Sequence, residues 1–221
     1  MQFSDRTDAG KRLAQLLLTL QLPDPVVLAL PRGGVPVGFE VARALGAPLD
    51  LVLVRKIGAP FNEELAVGAI ADGETPELVT DAQLVAGLDV SAAYLEEAKA
   101  AALREIERRR HMYVGDRQPV DVAGRTAIVV DDGIATGATM LAAVRATRRR
   151  KPARIVLAVP VAPEDTLNAL GREVDETVCL HAATDLMAVG QFYRRFDQLR
   201  DEQVIALLNE AHSMKTRGSE P

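Results

Sequence analysis

Two adjacent aspartates, Asp131 and Asp132, stand between the apolar run Ile128-Val129-Val130 and the loop Gly133-Ile134-Ala135-Thr136-Gly137-Ala138-Thr139. Ionised carboxylates only accept hydrogen bonds, so a pair of them suits two neighbouring hydroxyls such as the 2′ and 3′ groups of a ribose. The loop leads into a helix predicted over residues 138 to 150. The first N–H groups of a helix lack internal partners, and its dipole favours an anion there. Gly137 permits close backbone approach, and Thr136 and Thr139 add hydroxyl donors. The spacing therefore suits a ribose 5-phosphate, with the phosphate in the loop and the diol on the acids. The loop carries no lysine, so it is not the nucleotide-binding G-x-x-x-x-G-K-[ST] loop, and the fingerprint G-x-G-x-x-G is also absent. The Asp-Gly pair alone would fit a hairpin turn, but a helix rather than a strand follows.

A second loop, Pro31-Arg32-Gly33-Gly34, follows the apolar run 26 to 30 and precedes a helical stretch, 35 to 45. By itself it is an ordinary turn. A third stretch, residues 50 to 55, reads as a strand ending in Arg55-Lys56, either a functional cation pair or two solvated basic residues.

These loops need elements to position them. Ala9, Leu13, Leu16, Leu17 and Leu20 recur at helical spacing over residues 8 to 20, behind candidate caps at Asp5, Thr7 and Asp8. The apolar run 26–30 reads as a parallel strand buried on both faces, and 126–131, 154–159 and 174–180 read as further strands, the last of them closing the core. Shorter strands are expected at 66–70 and 77–80. Helices are expected at 91–112, 163–171 and 201–211, with a frayed tail from 213 to 221. Alternation of strands and helices implies an α/β fold, a doubly wound parallel sheet flanked by helices. Ligands in such folds sit beyond the carboxyl ends of the strands, which points to the loops after Leu30, Arg55, Asp131 and Leu180.

Composition narrows the function. A chain of 221 residues with 48% hydrophobic content supports a packed core. A net charge of -5 argues against a general nucleic-acid or anionic-membrane binder. The single cysteine, Cys179, excludes an internal disulfide and fits a cytoplasmic location. The polar start shows no signal peptide, and no apolar run approaches the roughly 20 residues that span a bilayer. Cys179 and His181 alternate on a strand but lack a third metal-binding partner. The run Arg148-Arg149-Arg150-Lys151 closes a helix, where cations suit the dipole.

The stretch VVDDGIATGATM resembles the phosphoribosyl-pyrophosphate signature of type I phosphoribosyltransferases in order and spacing. The resemblance implies a transferase that moves the 5-phosphoribosyl group from phosphoribosyl pyrophosphate to a nitrogenous base or similar nucleophile, releasing pyrophosphate. It assigns Asp131, Asp132, Gly133, Ala135, Thr136, Gly137, Ala138 and Thr139 to the ribose 5-phosphate. The loop LALPRGG resembles the family's pyrophosphate loop. It implies Arg32, Gly33 and Gly34 as diphosphate ligands, with a cis peptide at Pro31–Arg32, and Arg55 and Lys56 as further cations. Arg32, Lys56, Asp131 and Asp132 are the implied catalytic groups. Magnesium is implied as cofactor without a direct protein ligand, reached by Asp131 or Asp132 through water.

The family's hypoxanthine-type members place an aspartate before Thr-Gly as a candidate base. Here that position is Ala135, which weakens a hypoxanthine or guanine acceptor. The resemblance gives a single domain over 1–212, with a core of about 26–181 and a variable hood from 1–25 and 182–212. Met187, Ala188 and Phe192 are candidates to pack on an acceptor ring, or else form a small satellite core. Family members are commonly dimers, so a homodimer is expected. A regulator that binds the donor without turnover, and a different phosphosugar enzyme, remain as alternatives.

Overall fold

The computed structural model describes residues 2–72 and 76–217. Its centre is a five-stranded, wholly parallel sheet in the order β2-β1-β6-β7-β8, formed by β1 (Pro25–Ala29), β2 (Leu49–Leu51), β6 (Thr126–Val130), β7 (Arg154–Pro163) and β8 (Glu176–Ala183). All five residues of β6 are buried, as expected of a strand covered on both faces. Alternate side chains serve opposite layers. Val27, Ile128, Val130, Val156 and Ala158 pack under α1 (Arg6–Leu18) and α2 (Gly34–Leu45). Val26, Leu28, Val129, Ile155 and Leu157 pack under α5 (Ala138–Arg149), joined by Leu170 of α6 (Glu164–Gly171).

Right-handed crossovers put α2 and α5 on opposite faces because β1 leads outward to β2 while β6 leads the other way to β7. The chain therefore opens a crevice at the carboxyl ends of β1 and β6, the switch point of the sheet. The loops 30–33 and 131–137 meet there.

The stretch 50–55, expected as one strand, divides. Its first part is β2. Val52 and Leu53 are buried between elements, and the chain then enters β3 (Val54–Ala59) of a separate antiparallel sheet with β4 (Asn62–Ala71) and β5 (Glu77–Thr80). Arg55 and Lys56 thus lie inside a hairpin, paired opposite Ile70 and Ala69, rather than at the end of a core strand. A short helix, α3 (Ala82–Gly87), precedes α4 (Ala92–Val114), which Ser91 caps by accepting from Tyr94 N at 3.2 Å. The last helix, α7 (Asp201–Arg217), runs past residue 213, so the expected fraying does not begin there; residues 218–221 lie outside the described residues. Val204 and Leu208 explain the anchorage of α7, packing with Leu51, Val35 and Ile106 at the β2 edge.

Among the described residues no helix is long and apolar enough to cross a membrane. Leu157, fully buried on central strand β7, is a direct probe of the core. Leu157→Ala is expected to lower unfolding free energy by about 2–5 kcal/mol with an unchanged denaturant slope, measured by urea unfolding.

Candidate active site

Asp131 and Asp132 follow β6 without a gap, so the buried strand fixes their position. Asp132 N donates to Asp131 Oδ1 at 2.8 Å, which tightens the turn. Ile134 N donates to Val161 O of β7 at 2.9 Å, and Thr166 Oγ1 of α6 donates to Ala135 O at 3.2 Å. These bonds pin the loop at both flanks and leave Thr136 exposed at its crest. Gly137 enters α5 at φ +83°, a left-handed conformation, and a Cβ there would stand 2.7 Å from Thr166 Cγ2. No side chain caps α5, so its first amides are offered outward.

The opposite wall is the loop after β1. The Pro31–Arg32 peptide is cis. Gly34 N closes on Leu30 O at 2.9 Å, so the expected pair of glycine donors reduces to Gly33 alone. The helix consumes the other because α2 starts at Gly34. Both glycines are required by close approach. A Cβ at Gly33 would stand 2.1 Å from Asp132 Oδ2, and one at Gly34 would stand 2.7 Å from Val130 O. The two loops are thus in direct contact through the acid pair.

Burial sets the electrostatics. It pushes Asp131 well above the usual carboxylate range, and the neighbouring charge of Asp132 adds to the rise. Burial also raises Asp132, but the Arg6 guanidinium opposes it. Arg6 Nε donates to Asp132 Oδ2 at 2.6 Å. Tyr193 Oη donates to the Asp132 carbonyl at 2.6 Å, and burial holds its phenol in the protonated form, its pKa well above the ordinary value.

The cations divide. Arg32 lies at the site and faces Asp201 at the start of α7, at 3.9 Å. Tyr113 Oη of α4 donates to the same Asp201 oxygen at 2.6 Å; burial first, and that bond second, push its phenol up to about 12. Arg55 is instead placed 3.9 Å from Glu105 of α4, and Lys56 is exposed on the adjacent hairpin position. Glu105 is further held down to about 2 by Arg108 and Arg109. Arg108, Arg109 and Arg110 of α4 are thus all paired, the last of them with Asp72. In the basic run at the end of α5, Arg148 meets Asp175 at 3.1 Å and Arg150 donates to Val120 O.

Beside the acid pair, Tyr193 packs in one cluster with Phe3, Phe192, Val161 and Ala183. Met187 is 93% exposed and Ala188 is exposed, whereas Phe192 is buried against His181 at a ring separation of 5.2 Å. The three expected acceptor contacts therefore do not share one surface, because Phe192 belongs to the satellite core. Burial raises the Cys179 thiol, and His181 turns to Phe192, so the two form no reactive pair.

Arg6, Tyr193, Tyr113 and Asp201 were not legible as site residues in the sequence, since each reaches the site from a distant element. Arg6 did leave one trace. A cation in the first turn of a helix opposes the dipole, so an arginine there signals a nearby acid.

The sequence profile of the phosphoribosyl transferase domain matches residues 6–177. A protein of Mycobacterium tuberculosis, Rv0571c, named provisionally as a phosphoribosyl transferase, is 46% identical over 95% of this chain and 47% of its own length. The chain thus spans about half the length of the curated relatives it matches. The bifunctional protein PyrR of Chloroflexus aurantiacus is 34% identical over 58% of this chain and 65% of its own. The crystal structure of TT1426 from Thermus thermophilus is 43% identical and superposes with a TM-score of 0.81, covering 95% of this chain and 99% of that one. With the profile spanning both loops of the crevice, the chain belongs to the phosphoribosyl transferase domain family.

Proposed function

We propose that the crevice binds phosphoribosyl pyrophosphate and transfers its phosphoribosyl group to a nitrogenous base or similar nucleophile. The observation that carries this reading is the direct contact of Asp132 with Gly33, which sets a diol-accepting acid pair against a diphosphate-type loop at the switch point. The α5 amides, Thr136 and Thr139 hold the 5-phosphate. Asp131 and Asp132 accept from the ribose hydroxyls. Arg32 and the Gly33 amide receive the diphosphate.

In the reaction the bond from the anomeric carbon to the pyrophosphate oxygen breaks, and the departing group keeps the electron pair. The acceptor nitrogen forms the new bond and releases its proton to solvent, since Ala135 supplies no base. Negative charge grows on the leaving diphosphate, where a fixed guanidinium and an oriented amide stabilise it. Such preorganised donors are worth several kcal/mol. Among the described residues no group of three or more His, Cys, Asp or Glu forms a metal cage. A magnesium ion carried by the substrate fits this donor set, because it takes oxygen ligands from phosphates and keeps several waters. Asp131 or Asp132 would reach it through water, and it would add positive charge at the diphosphate.

Incubation with the donor, magnesium and a panel of bases is expected to release pyrophosphate only when the right base is present. Tight donor binding with no turnover on any acceptor would contradict the transferase and favour a donor-sensing regulator. Arg32→Gln separates the subsites. It is expected to weaken the binding of the full donor about 10- to 100-fold while leaving ribose 5-phosphate binding unchanged, measured by calorimetric titration.

A further inference from the structure

Arg6 sits 126 residues from Asp132 in sequence, yet its side chain and that of Asp132 are only 11% and 13% exposed. Asp5 caps α1 by accepting from Asp8 N at 3.0 Å, which fixes the helix start and so the direction in which Arg6 leaves it. The guanidinium is held on three sides. Its Nε binds Asp132 Oδ2 at 2.6 Å, its Nη1 donates to Asp197 O at 2.9 Å, and its Cζ lies over the Phe196 ring, 3.8 Å from the centroid. Phe196 in turn packs on Tyr193 at 4.9 Å, and Tyr193 Oη binds the Asp132 carbonyl. These contacts close a ring through α1, the loop after β6 and the segment after β8.

We propose that Arg6 is a positioning residue that fixes the Asp132 carboxylate for a sugar hydroxyl and so sets a preference for ribose over deoxyribose phosphates. This rests on the reading of the acid pair as the diol site. The geometry favours a buttress over a plug. Through Nε, Arg6 bonds Oδ2, the oxygen nearest to where a Cβ on Gly33 would stand, and that bond leaves Oδ1 outside the guanidinium's grip. A carboxylate gripped at one oxygen presents the other in one direction, and a rigid planar fork stacked on a ring loses little freedom in doing so. Removing the grip lets the carboxylate rotate, so the part of the affinity that depends on a hydroxyl falls while the part that depends on the phosphate does not.

The test is calorimetric titration of the full chain with ribose 5-phosphate and with 2-deoxyribose 5-phosphate, for wild type, Arg6→Gln and Arg6→Lys. The wild type is expected to prefer the ribose form by about tenfold or more. Arg6→Gln is expected to reduce that ratio to about twofold, with 2-deoxyribose 5-phosphate binding unchanged. Arg6→Lys keeps the cation without the fork and is expected to restore the ratio to about fivefold. A ratio retained in both variants overturns the inference, as does a rise in ribose affinity, which would mark Arg6 as a plug. Equal loss of both ligands would mark a merely structural role. A wild type that binds ribose 5-phosphate without discrimination overturns the diol reading itself. If Arg6→Gln fails to fold, the Arg6→Lys ratio decides: an intermediate value supports the proposal, and an unchanged one sinks it.

Discussion

Asp131→Asn is expected to weaken ribose 5-phosphate binding about 10- to 100-fold while leaving the melting temperature unchanged or higher. A hydrogen bond to a charged group contributes about 1.5–3 kcal/mol, which sets the range. The stability part follows from burial. Burial raises the Asp131 carboxyl because the ionised form is poorly solvated in its pocket, so the empty site holds a costly charge. Asparagine removes that charge and keeps an oxygen for the Asp132 N–H, which Asp131 Oδ1 now receives at 2.8 Å. Alanine would lose both and is the poorer test. The two quantities are read by titration and by thermal unfolding. An unchanged dissociation constant would remove Asp131 from the site. A large drop in melting temperature would make it a structural acid.

Gly33→Ala is the second large effect, and its cause is contact rather than conformation. Gly33 has φ −61°, which any residue adopts, so the substitution carries no backbone strain. The new Cβ would lie 2.1 Å from Asp132 Oδ2 and 2.4 Å from its Cγ. The carboxylate must therefore leave Arg6, or the loop must retreat from the acid pair. Either movement separates the proposed diol and diphosphate subsites. Donor affinity is expected to fall at least about tenfold, with an overpacking cost of about 1–3 kcal/mol in stability. Gly34→Ala provides the contrast. Its Cβ would meet the Val130 carbonyl and Asp131 Cα, which are backbone and cannot rotate away, so stability suffers first. In a double-mutant cycle, Asp132→Ala added to Gly33→Ala should recover the lost stability without recovering affinity. Strict additivity of the two changes would show that the loops do not touch in solution.

The parts of the site that were legible in the sequence are those made by consecutive residues. The acid pair, the threonine loop and the start of α5 lie within nine residues of chain, 131 to 139, and each has a local chemical reason. The parallel core was legible because its strands are short, apolar and separated by helices. The break after Leu51 was not, because Val52 and Leu53 are as buried as the strand before them. An apolar run reports burial, not where the hydrogen-bond ladder stops. That error carried Arg55 and Lys56 to the wrong kind of loop. Phe192 and Met187 show the same limit from the other side. Both are apolar and close in sequence, but one faces the satellite core and the other faces solvent. Arg6 and Asp201 act across the fold, so only tertiary structure reveals them.

The most direct measurement of the central claim is a crystal structure of the protein with phosphoribosyl pyrophosphate and magnesium. The 5-phosphate is expected on the α5 amides with Thr136 and Thr139, the sugar hydroxyls on Asp131 and Asp132, and the diphosphate on Arg32 and the Gly33 amide. A sugar bound elsewhere, or a phosphate in the loop with both aspartates turned away from it, would contradict the account.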